Sequence, residues 1–228
     1  NSFRENCYVL WDAAGNCVIV DPGCYWQEEF GRLKEFIAAE GLKPKAVWLT
    51  HGHFDHVHGV LKVVAEYSVP VLMSPEDKIV LDNNQNAVRE FGLTAPDSSQ
   101  IKTVDIKDGD VLDTLEGAPF KVITTPGHTP GCVCYYCEAD KVLLSGDTLF
   151  AGTIGRTDHL GGDYDMEIVS VMDKLMGLPG DVDVLPGHGR RTTIADERTH
   201  NPFLQPFNEP EEDPDWDGDG IEIDPIGR

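Results

Sequence analysis

Short apolar runs alternate with stretches of helical spacing along this chain, and the pattern divides it into two β-rich halves. Cys7–Trp11 and Cys17–Asp21 read as strands joined by a turn at Gly15-Asn16. Over Gln27–Glu40, Phe30, Leu33, Phe36 and Ile37 recur at helical spacing, and Gly41 ends the pattern. Ala46–Leu49 is a buried-strand run that empties into His51-Gly52-His53-Phe54-Asp55-His56. A helix is predicted from about Gly59 to Tyr67, stopped ahead of Pro70, then a strand at Val71–Met73. Pro75–Asn84 predicts another helix, and the stretch up to Ser99 an irregular insert.

The second half repeats the style. Strands are predicted at Lys102–Ile106, Val111–Thr114, Phe120–Thr124, Cys132–Cys137 and Val142–Ser145. An amphipathic helix follows over Asp163–Met176, then a final strand at Val182–Leu185 and a closing helix at Thr192–His200. Every histidine-bearing motif falls where a strand gives way to a loop. Strand ends place side chains on one rim of a sheet, which gathers residues distant in sequence.

Composition narrows the class. The 18 Lys+Arg against 40 Asp+Glu give a net charge of −22, which excludes gripping a phosphate backbone and disfavours docking on anionic lipid. No run approaches the roughly 18 consecutive apolar residues of a membrane span. The chain opens at Asn1 with no initiator Met and no secretory leader in view, so a short preceding piece is expected. Six cysteines (7, 17, 24, 132, 134 and 137) scattered through strand-like runs suit buried thiols in a reducing compartment, with cytoplasm the expected location. Cys134 and Cys137 should face opposite sides of their strand.

The charge is unevenly spread. Nine acids and no base lie between Glu209 and Asp224; the other 31 acids and the 17 bases ahead of Arg228 leave −14 for residues 1–208. Asp213, Asp215, Asp217, Gly218 and Asp224 partly match a calcium loop, but Asp replaces the bidentate Glu and no apolar helices flank it. A solvated acidic tail over 209–228 is the expectation, after a catalytic domain at 1–208.

Four motifs carry candidate chemistry. The first packs three imidazoles and a carboxylate into His51–His56. In extended backbone, residues two apart point the same way, so His51 and His53 can ligate one ion. Asp55 and His56, past the bend, can face a second. Thr125-Pro126-Gly127-His128, Ser145-Gly146-Asp147-Thr148 and Pro186-Gly187-His188-Gly189 each add one ligand flanked by glycine. His51, His53 and His128 would hold one ion, Asp55, His56 and His188 the other, with Asp147 as a bridge. Seven nitrogen and oxygen ligands without sulfur suit two zinc ions, with iron or manganese as alternatives. Two such ions acidify a shared water and polarise a carbonyl.

Together with Pro126-Gly127-His128-Thr129-Pro130-Gly131 and Gly146-Asp147-Thr148-Leu149-Phe150, these motifs resemble the metallo-β-lactamase superfamily. More narrowly they look like its glyoxalase II branch, the hydroxyacylglutathione hydrolases, in their compact single-domain form. The resemblance runs from about Asn6 to Leu204. It implies an α/β fold, a four-layer αββα sandwich of two face-to-face sheets with helices outside, and a dinuclear site on the same seven positions.

Single residues refine the branch. β-Lactamases usually carry Cys where Asp147 stands, and flavodiiron relatives carry Glu in place of His53. Persulfide dioxygenases, which use one iron, resemble the chain around Gly155-Arg156-Thr157-Asp158, but their last motif reads Ala-His-Asp. Arg156 falls where the branch often has a substrate-binding Lys, and Asp158 where it has Tyr. Two-domain members add a helical domain with basic residues for glutathione, and only forty residues follow His188 here. The expected function is a binuclear zinc hydrolase in which a metal-bridging hydroxide attacks an acyl thioester, of hydroxyacylglutathione or a related carrier. Asp55 would hold the second ion and orient the hydroxide, and Arg156 would meet the substrate. The alternatives are a mononuclear iron persulfide dioxygenase-like enzyme or a hydrolase of another ester or lactone. The expected partner is a small-molecule thioester or ester, with neither nucleic acid nor membrane; the oligomeric state stays open, a homodimer included.

Four further residues carry two readings each. His58 reads as an ordinary loop residue rather than a support for a ligand. His159 lines the pocket or stands exposed, Asp21 braces a ligand or ends a strand, and Arg156 holds a substrate anion or salt-bridges its own loop.

Overall fold

A computed structural model describes residues 1–205; the acidic segment and its partial calcium-loop match lie outside the described residues. Two sheets form. The first runs β1-β2-β3-β4-β5: Tyr8–Trp11, Asn16–Val20, Lys43–Trp48, Val71–Met73 and Thr103–Asp105. β1 pairs antiparallel to β2, and β2 to β5 are mutually parallel. The second sheet contains β6 (Val111–Leu112), β7 (Phe120–Thr124), β8 (Val133–Cys137) and β9 (Val142–Gly146). A small β10–β11 hairpin (Leu149–Phe150, Thr153–Ile154) intervenes before β12 (Asp183–Pro186) and β13 (Thr192–Thr193) join at its other edge. Its order is β13-β12-β9-β8-β7-β6, with β9 and β12 parallel.

The helices are α1 (Gln27–Ala39), α2 (Phe54–Val57), α3 (Val60–Tyr67), α4 (Lys78–Ala87), α5 (Tyr164–Val169) and α6 (Ile194–His200). Side-chain alternation sorts the core into three layers. Cys17 and Ile19 of β2 face α1 and α3, while Val18 and Val20 face the other sheet. Likewise Cys134 and Tyr136 of β8 face α5 and α6, while Val133, Tyr135 and Cys137 meet the first sheet. This is the expected αββα sandwich, and Cys134 and Cys137 do lie on opposite faces. All six cysteines are free. Between the sheets, fully buried Trp48 packs on Phe120 and Tyr135 at centroid distances of 5.4 and 5.1 Å. Burying a ring of this size is worth about 2–3 kcal/mol.

Some boundaries differ from expectation. The predicted helix over Asp163–Met176 is two structures: α5, capped by the Asp163 side chain, and a π-helical segment at Ser170–Leu175. That widening lets Ser170 donate to the Pro126 carbonyl and Lys174 to the Thr124 carbonyl. Pro75–Asp77 is a 3-10 turn ahead of α4, and Thr192–Thr193 pairs as a strand before α6 begins. The strand predicted at Val111–Thr114 keeps two residues, because Thr114 leads into the Leu115–Ala118 turn. No helix among the described residues is long and apolar enough to cross a membrane.

A candidate metal centre at the joint edge of the sheets

β2, β3, β7, β9 and β12 all deliver their C-terminal ends to one edge of the sandwich. Asp21 follows β2, His51 follows β3, His128 follows β7, Asp147 follows β9 and His188 follows β12. The four expected motifs therefore converge there. His51, His53 and His128 form one cluster, and Asp55, His56 and His188 another, each with ligand atoms within 4.8 Å of one another. His53 stands in extended backbone at the N-terminal boundary of α2, so Asp55 and His56 lie within that helix while His51 and His53 precede it. Asp147 faces both clusters: its Oδ2 lies 3.6 Å from His128 Nε2 and 3.5 Å from His188 Nε2, and its Oδ1 lies 3.4 Å from His56 Nε2.

The outer hydrogen bonds set which ring nitrogens are free. Thr50 donates its hydroxyl proton to Asp21 at 2.6 Å, so it must accept from His51 Nδ1 at 3.0 Å. His56 Nδ1 donates to Asp21 at 3.0 Å, His128 Nδ1 to the Arg156 carbonyl at 2.7 Å, and His188 Nδ1 to the Phe3 carbonyl at 3.1 Å. In the neutral ring each bond leaves a lone pair on Nε2, the form that ligates. Four such lone pairs point inward, and those of His56 and His188 face each other at 3.3 Å. Lone pairs at that separation repel unless a cation stands between them. The inward Oδ1 of buried Asp147 also has no hydrogen-bond partner among the described residues. The donor set therefore fits divalent cations, and its lack of sulfur fits zinc, iron or manganese.

Electrostatics divide the two clusters. Burial is outweighed at His56 and His188 by the carboxylates of Asp147 and Asp55, which hold both above the ordinary imidazole value, as a cation seated between them would not. Burial, with the neighbouring imidazoles, holds His51 and His53 well below the ordinary imidazole range, and burial brings His128 down to about 4. All three are thus neutral at pH 7, the form that ligates. Burial works against the ionised form of Asp55, but His56 and His188 outweigh it and hold the carboxyl below its usual value.

Residues 2–188 match the family model of the metallo-beta-lactamase superfamily. The chain belongs to that superfamily. Among curated metallo-beta-lactamase relatives, hydroxyacylglutathione hydrolase GloC of Haemophilus influenzae is 37% identical over 204 residues, 89% of this chain and 94% of GloC. The solved BLEG-1 B3 metallo-beta-lactamase superposes with a TM-score of 0.81 at 37% identity, covering 90% of this chain and 96% of its own. TTHA1623, solved in a di-iron-bound form, gives 0.78 at 36% identity, covering 88% and 95%. ETHE1 from Myxococcus xanthus is more distant, at 0.70 and 26% identity over 87% of this chain and 79% of its own.

Of the residues with two readings, Asp21 braces His56 and, through Thr50, His51. It does so from a left-handed backbone conformation, φ 48°, a strain associated with functional sites. His159 lines the cleft with Nε2 3.3 Å from His128 Nδ1. Arg156 also lines the cleft, but its guanidinium is engaged by Asp158 of its own loop, at 2.7 and 3.1 Å. His58 is not an ordinary loop residue: it ends α2, is buried, and meets Tyr25 edge-on at 4.7 Å.

Two supporting carboxylates escape sequence reasoning. Buried Asp77 accepts from Gly52 N–H at 2.5 Å, Thr129 Oγ1 at 2.9 Å and Gly131 N–H at 2.7 Å, so it ties the His51 and His128 loops together. Glu167 of α5 accepts from His128 N–H at 2.7 Å and Gly155 N–H at 3.2 Å. A lone carboxylate carries no spacing signal; only glycines packed against it, as Gly127 and Gly131 are here, hint at one.

Proposed function

We propose that the protein is a two-metal hydrolase of acyl thioesters or related esters, with His51, His53 and His128 holding one ion, Asp55, His56 and His188 the other, and Asp147 shared. The observation that carries this reading is the convergence of four inward Nε2 lone pairs with the unpartnered Asp147 oxygen between the clusters. The likeness to GloC supports the thioester class, and the six free thiols fit a reducing compartment such as the cytoplasm. Two zinc ions are the proposed occupants; the di-iron-bound neighbour makes iron the alternative.

Bound divalent ions would supply an acidified water and polarisation of the scissile carbonyl. The chain supplies the rest. The Nδ1 bonds to Thr50, Asp21, Arg156 and Phe3 fix each ring, so no reorganisation is needed during reaction. Asp55, held ionised, is placed to accept a proton from water entering between the clusters and so to orient it. A cleft of about 790 Å³, with Phe54, Phe150 and Ile154 among its walls, suits a small molecule and removes bulk water from the carbonyl.

The test joins elemental analysis to turnover of S-lactoylglutathione, simpler thioesters, a lactone and a β-lactam. Two metals per chain and thioester turnover, both lost in Asp147→Ala, are expected. Full metal content and activity in that variant would sink the proposal. One iron per chain with oxygen uptake on a persulfide would replace it by the dioxygenase alternative that the Gly155-Arg156-Thr157-Asp158 resemblance raises.

A further inference from the structure

One wall of the cleft, which includes Phe54, offers more than the exclusion of water. Phe3, Phe54 and Phe91 form a closed triangle of rings, with centroids 4.9 Å (Phe3–Phe54), 5.3 Å (Phe3–Phe91) and 5.8 Å (Phe54–Phe91) apart. All three line the cleft, and Phe91 is 57% exposed. They come from three separate segments: the stretch before β1, the start of α2 and the turn after α4. Single exposed apolar side chains need no explanation, but three gathered rings facing a cavity mark a surface that gains by being covered. The wall is fixed to the metal centre, since Phe54 sits between His53 and Asp55 and the Phe3 carbonyl accepts from His188. A carbonyl held at the centre would therefore have one substituent against these rings.

The cations lining the cleft differ from each other. Arg156 is engaged by Asp158. Arg190, two residues past His188, lines the same cleft, and its guanidinium makes no hydrogen bond or ion pair among the described residues. In a chain of net charge −22, an exposed guanidinium beside the site is a place for an anion.

Resting on the two-metal hydrolase reading, we propose that the substrate is an acyl thioester or ester with two features. One is a flat or branched apolar arm that packs on Phe3, Phe54 and Phe91; the other is a carboxylate that meets Arg190. The wall sets which acyl compounds the enzyme prefers, and Arg190, rather than Arg156, sets the charge preference.

The test uses the full, zinc-loaded chain and calorimetric binding of four ketone analogues, in which CH₂ replaces the ester sulfur so that none can be cleaved. They combine phenyl or methyl on one side with a carboxylate or its methyl ester on the other. Phenyl should outbind methyl by about tenfold or more, and carboxylate should outbind ester by about fivefold or more. Phe91→Ala should cut the phenyl preference by at least about fivefold and spare the carboxylate preference, with Phe91→Leu intermediate. Arg190→Gln should do the reverse. Equal binding of phenyl and methyl, or a phenyl preference untouched in a folded Phe91→Ala or Phe91→Leu protein, overturns the inference. Turnover of the matching thioesters separates the two readings: selective binding without turnover sinks the hydrolase alone, and turnover without selectivity sinks the wall alone.

Discussion

Replacing Asp77 by Asn keeps the side-chain volume and destroys its bonding. The carboxylate accepts three hydrogen bonds, and an amide must turn its NH₂ toward at least one of the donors. Asp77→Asn should cost about 2–3 kcal/mol in urea unfolding and weaken metal binding about 10–100-fold, as the loss of an orienting partner does. Wild-type values in both measurements would remove the tie between the loops. Glu167 gives a pH signature instead. Burial pushes its carboxyl up from 4.5 to about 8, with the two N–H donors opposing. The folded chain then holds a proton that the unfolded chain has already lost, so stability falls as pH rises from 4.5 to about 8 and levels beyond. In chelated protein the neutral imidazoles of His51, His53 and His128 add an opposite slope below pH 6.5. The Glu167 slope, at most about 1.4 kcal/mol per pH unit, should therefore appear as the difference between the parent and Glu167→Gln profiles. Parallel profiles in the parent and the variant would mean that the Glu167 carboxyl stays ionised throughout. The residues legible in the sequence were those in dense motifs, His51 to His56 above all. Asp77 and Glu167 were not, because one carboxylate in a turn and one on a helix look like solvated charge until the loops pack on them.

At the scale of elements, alternation and helical spacing place the long strands and helices, since both periods are imposed by burial on the two faces of each sheet, but not the short α2, β10, β11 and β13. What the spacing could not show was the break of one amphipathic run into α5 and a π-helical segment, because the apolar stripe continues through both. The consequence is functional. Glu167, Ser170 and Lys174 of that run all bond to the stretch between Thr124 and His128, so the helix acts as the backing of the His128 loop. Gly127 is where loop and helix meet. Its φ is +151°, and a Cβ there would collide with the Glu167 backbone, which no rotamer change relieves. Gly127→Ala should therefore lower stability by about 2–4 kcal/mol and reduce metal content. Gly31, inside α1, has nothing within 4 Å of its missing Cβ. Gly31→Ala should raise stability by about 0.5–1 kcal/mol and leave metal content alone. Equal effects from the two substitutions in thermal melts would show that backing the loop is not what Gly127 does.

Across the whole molecule, the metal clusters bridge the two halves of the sandwich. His51, His53, Asp55 and His56 follow β3 of the first sheet, while His128, Asp147 and His188 follow β7, β9 and β12 of the second. Each cluster draws from both sheets, so an ion in either one resists their separation in addition to the layer of Trp48, Phe120 and Tyr135. The same arrangement places Asp55 and Asp147 together at the edge of a chain that already carries −22, a repulsion that cations would relieve. Ions that bind only the folded state at 100 times their dissociation constant add about 2.7 kcal/mol each. For a chain of this length that amounts to roughly 10–20 °C in Tm for two ions. Chelation should remove that increment, and added salt should restore part of it in the chelated protein by screening the carboxylates. His128→Ala breaks only the first cluster, so it should lose about half of the chelator-sensitive increment. A chelated parent melting within about 2 °C of the metal-loaded one would mean that the sheets hold together without the ions, leaving the clusters a role in chemistry alone.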